Sequence, residues 1–357
     1  MRISGLWLQS FRNYQDKAVQ FSPNVTVLVG ENGRGKTSIL EGISLASTGE
    51  SFRASKIEEM ISFDSEFGRV QLKVLEDSDD SLTIEVFVST GLVQEKKTQK
   101  RVFSVNGVRR IRKDVVGICK TVLFRPEDLR LIEGSPGRRR KYLDMPLILD
   151  DWQYGYALKT YDQALRQRNK LLEQIREGTA TIDRLSYWDG LLLEHGTFIQ
   201  KQRAAYIETV SGVSFPDEHI RNFTIEYTPS IISSERLTEY ERRSVAAGHT
   251  LIGPHKDDFK ISLDGRDVSA YGSRGQQRLA VLWLKMGERV FLKESNKKEQ
   301  EPEPILLLDD IFSELDESAK QLIFALMQQG QTIVTTADDR VATLLKKHFS
   351  GAKVIDL

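Results

Sequence analysis

The sequence predicts an α/β protein with three parts: a core built on a glycine-rich strand–loop–helix, an antiparallel β subdomain, and a helical lobe with a short antiparallel helical hairpin. Three observations predict it. Gly30–Thr37 joins the apolar run Val25–Val29 to a helix, residues 152–210 switch to helical apolar spacing, and the last third returns to buried strands alternating with helices.

Met1 to Ser10 alternates apolar and polar residues and includes Arg2, so it reads as a first strand; a signal peptide would need a continuous apolar stretch. Val25–Val29, Arg69–Leu75 and Leu82–Val88 carry β-branched and apolar residues at strand spacing. Asn106-Gly107 and Asp264-Gly265 are two-residue hairpin signals, since both turn positions need positive φ. From Trp152 to Glu177, Tyr154, Leu158, Tyr161, Leu165, Leu172 and Ile175 recur at steps of three and four, interrupted by Arg168. A second row, Leu185, Trp188, Leu192, His195, Ile199 and Tyr206, completes an antiparallel hairpin across the polar connector 176–183. Both rows are too short for a long coiled-coil arm. Gln276–Leu292 reads as an amphipathic helix and Glu294–Pro304 as a flexible polar loop. Then come the strand Ile305–Leu308, a helix around Ala319–Gln328 and the strand Thr332–Thr336. The expected domains are a first lobe over 1–124, a second over 125–295, and a return to the first over 296–357.

A chain of 357 residues, 39% hydrophobic and 29% charged, has room for two lobes. No apolar run approaches the roughly 18 residues that cross a bilayer, so no membrane partner is expected. A single cysteine, Cys119, cannot form an internal disulfide and suits a reducing cytoplasm. Lys plus Arg and Asp plus Glu are both 51, which argues against coating nucleic acid by bulk charge but leaves room for a local basic patch.

Gly30, Glu31, Asn32, Gly33, Arg34, Gly35, Lys36 and Thr37 fit GxxxxGK[ST] in full, and Ser38 follows in the outgoing helix. The glycines let successive N–H groups converge on phosphate oxygens at the positive end of a helix. Lys36 supplies charge to the β- and γ-phosphates of ATP, and Thr37 offers a hydroxyl to Mg²⁺. The apolar strand before Asp309 and Asp310 is the matching second half: Asp309 is expected in the Mg²⁺ shell and Asp310 beside the attacking water.

Before the amphipathic helix stands Tyr271-Gly-Ser273-Arg-Gly275-Gln276-Gln277-Arg278. A hydroxyl, an unhindered N–H and a helix dipole make a second anion site, which one chain does not need for the same γ-phosphate. The segment resembles the ABC signature, which in that family faces the partner's nucleotide. Ser273, Gly275 and Gln276 are therefore expected to bind ATP across a homodimer, and the fold to be an ABC-type ATPase head. Ser313-Glu-Leu-Asp316 resembles the D-loop at such an interface.

Ser10-Phe-Arg12-Asn13-Tyr14, Phe124-Arg-Pro-Glu127-Asp128-Leu, Gly134-Ser-Pro-Gly-Arg-Arg139, Gly253-Pro-His255-Lys-Asp257-Asp258 and the two nucleotide motifs run in the order of the RecF family of bacterial recombinational repair ATPases, which the chain resembles over nearly its whole length. The resemblance implies a head like that of SMC proteins with a compact helical lobe in place of the long arm. It also implies an ATP-dependent homodimer on duplex DNA near single-strand gaps, and help in loading RecA with RecO and RecR. By the same resemblance, Arg12 and Asn32 touch nucleotide.

Three departures point to slow hydrolysis: Asp310 stands where ABC transporters carry Glu, no histidine follows Thr332–Ala337, and no glutamine occupies the region around Phe124–Asp128, where Glu127 is a candidate substitute. Stimulation by DNA is a separate expectation. Basic runs at Lys96, Lys97, Lys100 and Arg101, at Arg109, Arg110, Arg112 and Lys113, and at Arg138, Arg139, Arg140 and Lys141 are candidate phosphate contacts. His255 and Asp257 are too few to assign a metal. The alternatives are an ATP-binding scaffold without significant hydrolysis and the nucleotide subunit of an ABC transporter. The helical hairpin, the missing histidine and the non-standard signature disfavour the transporter.

Overall fold

The computed structural model describes residues 1–76, 80–214, 223–294 and 303–357. Most of the polar segment expected as a flexible loop at 294–304 falls outside them. The chain divides into two compact units, Met1–Asp128 with Leu292–Leu357, and Leu129–Phe291.

The first unit holds two sheets. One has five strands in the order Thr121–Phe124, Ile305–Asp309, Thr332–Thr336, Val25–Val29 and Lys353–Asp356, all parallel. Its three middle strands are buried at every position, which suits the largely apolar Val25–Val29 and Ile305–Asp309 and the β-branched Thr332–Thr336. The other is antiparallel, in the order Tyr14–Gln20, Arg2–Phe11, Phe67–Leu75, Ser81–Ser89, Arg101–Val105, Val108–Arg110. The turn at Asn106 and Gly107 has φ of 50° and 75°, as the hairpin signal requires, with Val105 opposite Val108. The helix Lys36–Thr48 is buried on nearly every side because apolar residues meet it from both sheets. A Cβ on Gly42 would lie 2.8 Å from a Leu8 methyl, so this glycine sets how closely helix and antiparallel sheet approach.

The second unit is built on the helices Trp152–Arg176 and Ser186–Ser211, with Pro136–Asp150, most of Arg274–Glu294 and a three-stranded sheet. Arg168, which breaks the first apolar row, is buried; its Nε donates to Asp189 at 2.5 Å and another nitrogen to Thr250 at 3.0 Å. The interruption is thus a buried ion pair that ties the two helices together. On the second helix the seam differs from the expected row. Gly196 and Arg203 are buried in it, while His195 is half-buried and meets the Tyr156 ring edge-on. A Cβ at Gly196 would approach Tyr161 and Ile232 to 3.1 Å, so a side chain there would push these neighbours back by a few tenths of an ångström.

The segment Gly253–Asp258 forms the polar hub of this unit. Asp257, fully buried, accepts from Arg203 at 2.9 Å, Tyr227 at 2.5 Å, and Gln200 and the Ser230 amide at 2.8 Å. Arg203 also donates to both carboxylate oxygens of Asp144 and to the Pro254 carbonyl. Burial alone would lower the Arg203 pKa; Asp144, Tyr154 and Asp257 more than reverse it. His255 Nε2 faces the Thr250 carbonyl at 3.1 Å and must carry the proton, so Nδ1 accepts from the Tyr161 hydroxyl at 2.8 Å. Both ring nitrogens are thereby used within the fold.

Two outcomes follow from this hub. Asp257→Ala strands Arg203 without one of its two carboxylates and should cost about 3–5 kcal/mol in urea unfolding. Burial pushes the His255 imidazole from 6.5 down to about 4. The unfolded chain therefore takes up a proton that the folded chain refuses between those pH values. Stability should fall as pH drops through that window, by about 3 kcal/mol in all, and His255→Gln should remove most of that slope in unfolding curves.

Candidate active site

The glycine-rich loop leaves the sheet at Val29 and enters the helix at Lys36. Gly33 and Gly35 have φ of 85° and 98°, left-handed values that favour glycine. Space is limiting as well at the second of them. A Cβ on Gly35 would sit 2.5 Å from the Tyr14 hydroxyl and 2.6 Å from the Asn13 amide. Tyr14 donates to the Arg34 carbonyl at 3.1 Å, pinning the loop from the Arg2–Gln20 hairpin. Lys36 Nζ donates to the Gly30 carbonyl at 2.5 Å and the Glu31 carbonyl at 3.0 Å, which folds its ammonium inside the loop.

Asp309 and Asp310 end the strand two places along the sheet from Val25–Val29. Thr37 Oγ1 donates to Asp309 Oδ1 at 3.0 Å, and Thr335 Oγ1 donates to the same oxygen at 2.7 Å. Burial raises the Asp309 pKa, the two hydroxyls partly offset it, and Glu127 and Asp310 add to the rise. Glu127 lies in the short helical turn Pro126–Leu129, the region that carries no glutamine. Burial also raises the Asp310 pKa, against a hydrogen bond from the Ala337 amide and the charge of Lys36. A carboxylate held above its usual range accepts a proton more readily, as suits a group beside an attacking water. Asp310 has φ of 50°, uncommon for a non-glycine residue, and its backbone turns the chain sharply out of the strand.

These groups line one cleft of about 770 Å³, which brings together Arg12, Asn32, Gly33, Gly35, Lys36, Thr37, Ser38, Asp309 and Asp310 of the residues singled out from sequence. Gly30 is packed instead against the Leu357 carbonyl, while Glu31 and Arg34 face each other at 3.5 Å on the exposed side of the loop. Arg12 is held by Glu41, with nitrogens at 2.8 and 2.6 Å from its two carboxylate oxygens. Sequence reasoning missed Glu41, although an acid on an otherwise apolar buried helix is a signal. It also missed Asn13, Arg53 and Phe63, which line the cleft from segments distant in sequence. Phe63 is fully exposed there.

Ser273, Gly275 and Gln276 belong to the second unit. The Ser273 amide donates to Gln276 Oε1 at 2.8 Å and the Gln276 amide to Ser273 Oγ at 3.3 Å, a reciprocal capping box at the start of Arg274–Glu294. The basic runs divide. Arg139 pairs with Asp258, Arg140 donates to the Asp257 carbonyl, Arg112 meets Glu50 and the Thr48 carbonyl, Lys100 meets Glu58, and Arg101 donates to the Gly49 carbonyl. These cations serve the fold first. Lys96, Lys97, Arg109, Arg110, Lys113, Arg138 and Lys141 are exposed, Arg109 and Arg110 on the edge strand Val108–Arg110.

The groups present fit a nucleoside triphosphate with Mg²⁺. Gly33, beside which a Cβ would meet nothing within 4 Å, leaves the cleft side of the loop open to phosphate oxygens, and Thr37 and Asp309 offer hard oxygen donors side by side. Among the described residues no three His, Cys, Asp or Glu side chains form a metal cage. Mg²⁺ bound through one or two protein oxygens and the phosphates needs none.

The family model described as the RecF/RecN/SMC N-terminal domain matches residues 2–354. The DNA replication and repair protein RecF of Lachnoclostridium phytofermentans is 34% identical over 345 residues, covering 94% of this chain and 92% of that protein. RecF of Clostridium acetobutylicum is 33% identical, covering 99% and 98%. Among solved structures, the recombination mediator protein RecF with ATPrS, of the RecFOR pathway, superposes with a TM-score of 0.87 at 30% identity, covering 100% of this chain and 96% of that one. The corresponding RecF-ATP structure gives 0.83 at 32% identity, covering 94% and 92%.

The left-handed Asp310 backbone separates two neutral substitutions. Asn tolerates this conformation and keeps an oxygen for the Ala337 amide, so Asp310→Asn should unfold at nearly the parental urea concentration. Asp310→Ala should lose about 1–2 kcal/mol in the same measurement.

Proposed function

The chain belongs to the RecF family of DNA replication and repair proteins, and on that premise we propose that it binds ATP between two copies of itself on duplex DNA beside single-strand gaps, with slow hydrolysis resetting the assembly. Its fold is the ABC-type ATPase head, an α/β core with an antiparallel β subdomain and a helical lobe. The observation that carries the proposal is the hydrogen bond from Thr37 to Asp309, which joins the phosphate loop to the end of the apolar strand inside one cleft.

In this reading Lys36 turns from the loop carbonyls to the β- and γ-phosphates. Thr37 and Asp309 hold Mg²⁺, which neutralises phosphate charge. Arg12, fixed by Glu41, adds positive charge at the cleft wall. Asp310 accepts the proton of the attacking water. Its side chain is one methylene shorter than glutamate, which supports slow turnover. Ser273, Gly275 and Gln276 at the start of a 21-residue helix face the γ-phosphate of the partner's nucleotide. In the capping box the Ser273 hydroxyl oxygen accepts from the Gln276 amide, which leaves its proton to donate to that phosphate. Lys96, Lys97, Arg109, Arg110, Lys113, Arg138 and Lys141 are exposed cations offered to DNA phosphates. Cooperation with RecO and RecR in loading RecA, and a cytoplasmic site of action, follow from family membership.

Sedimentation with and without ATP and gapped DNA tests the assembly directly: a chain that stays single under every condition would refute the proposal. Lys36→Ala should lose nucleotide affinity. Ser273→Arg should bind ATP as a monomer yet fail to dimerise. Asp310→Asn should keep ATP binding and dimers while losing hydrolysis, and normal turnover in that variant would remove Asp310 as the base. If the parent chain binds ATP and dimerises but never hydrolyses it, the scaffold reading holds instead. DNA affinity should fall steeply with added salt, because the contacts offered are to phosphates.

A further inference from the structure

The strand Thr332–Thr336 lies between the strand that carries Asp309 and the strand that feeds the phosphate loop, with Thr335 beside Asp309 on one side and Leu28 on the other. Thr335 is completely buried. Its hydroxyl has a single proton, and that proton goes to Asp309 Oδ1 at 2.7 Å. The same Oγ1 accepts the Asp310 amide at 3.1 Å, and the Asp310 amide also reaches the Thr335 carbonyl at 3.1 Å. One side chain therefore touches both consecutive acids, the first through its carboxylate and the second through its backbone.

Thr37 donates to the same Asp309 oxygen, but its hydroxyl oxygen is also the group offered to Mg²⁺. A hydroxyl that ligates a cation through a lone pair still has its proton to give, so Thr37 and Asp309 can remain linked when metal is present. That link alone cannot orient Asp309 independently of the metal, because the Thr37 hydroxyl would be shared between the cation and Asp309. Thr335 can, since it sits in the middle of a parallel sheet with no solvent contact.

We propose that Thr335 is the positioning residue of the metal site: its buried hydroxyl fixes Asp309 Oδ1 before the cation arrives and leaves Oδ2 as the oxygen presented to Mg²⁺ or its water shell. The inference rests on reading the cleft as the Mg·ATP site. It assigns a function to the strand end that carries no histidine.

Thr335→Val removes the hydroxyl while keeping the β-branched shape, and the Asp310 amide retains the backbone carbonyl. Binding of a fluorescent ATP analogue is measured first in EDTA and then against rising Mg²⁺, with Mn²⁺ and its spin-resonance signal as a second probe. In EDTA the valine variant should bind within about twofold of the parent. The Mg²⁺ needed for half-saturation should rise about ten- to a hundredfold, with a matching loss of bound Mn²⁺. Thr335→Ser, which restores the hydroxyl, should return close to the parent. A loss of packing alone would weaken binding equally with and without metal; that result, or an unchanged Mg²⁺ requirement, overturns the proposal. So does a serine variant that behaves like valine. Thr335→Ala gives the same comparison if the valine variant melts early. A parent chain that binds no analogue under any condition, while Lys36→Ala behaves identically, would instead bring down the nucleotide reading of the cleft and this inference with it.

Discussion

Everything in the first unit depends on two strands from opposite ends of the chain being held one strand apart. Val25–Val29 and Ile305–Asp309 do not pair with each other; Thr332–Thr336 pairs with both. That arrangement delivers Lys36 and Thr37 from one strand and Asp309 and Asp310 from the other to the same end of the sheet. Parallel strands need crossover connections, and burial on both faces makes their register costly to change. The Thr37–Asp309 contact therefore inherits its geometry from the whole core rather than from local loop structure.

The second unit meets a different constraint. Arg168 and Arg203 are each fully buried, and each is matched by acids and neutral acceptors. Such pairs contribute little net stability compared with apolar residues, but breaking one is costly. They specify which helix faces which: Arg168 reads Asp189 on the partner helix, and Arg203 joins Asp144, Pro254 and Asp257 from two other segments. The GPHKDD segment is thus a keystone of packing.

The parts of the fold set by local chemistry were readable in the sequence. The apolar strands, both Asx-Gly hairpins and the helical hairpin follow from residue period and turn conformation. The phosphate loop and its acids were readable because their spacing is short and their residue types are demanding. What escaped was set by tertiary contact. Gly196 replaces His195 in the seam because helix crossing distance, not apolar period, decides that position. Glu41 and Thr335 act through partners remote in sequence, so no local pattern shows what they bind. The partners of the basic runs were not readable either: adjacency of charges says nothing about Glu50 and Asp258, which pair with Arg112 and Arg139, or about the Asp257 carbonyl that takes Arg140.

The strand Val108–Arg110 ends the antiparallel sheet, exposed on all three residues, next to the exposed side chains of Val108 and Ile111. An open edge of this kind invites another chain to add its own strand, and arginines there repel a like edge by their charge. The guanidinium groups proposed for DNA phosphates therefore also stand where they would oppose pairing with a like edge. Neutralising them uncovers a sticky border, and a variant that no longer retains DNA has to be weighed for clumping before its phenotype is credited to lost phosphate contacts.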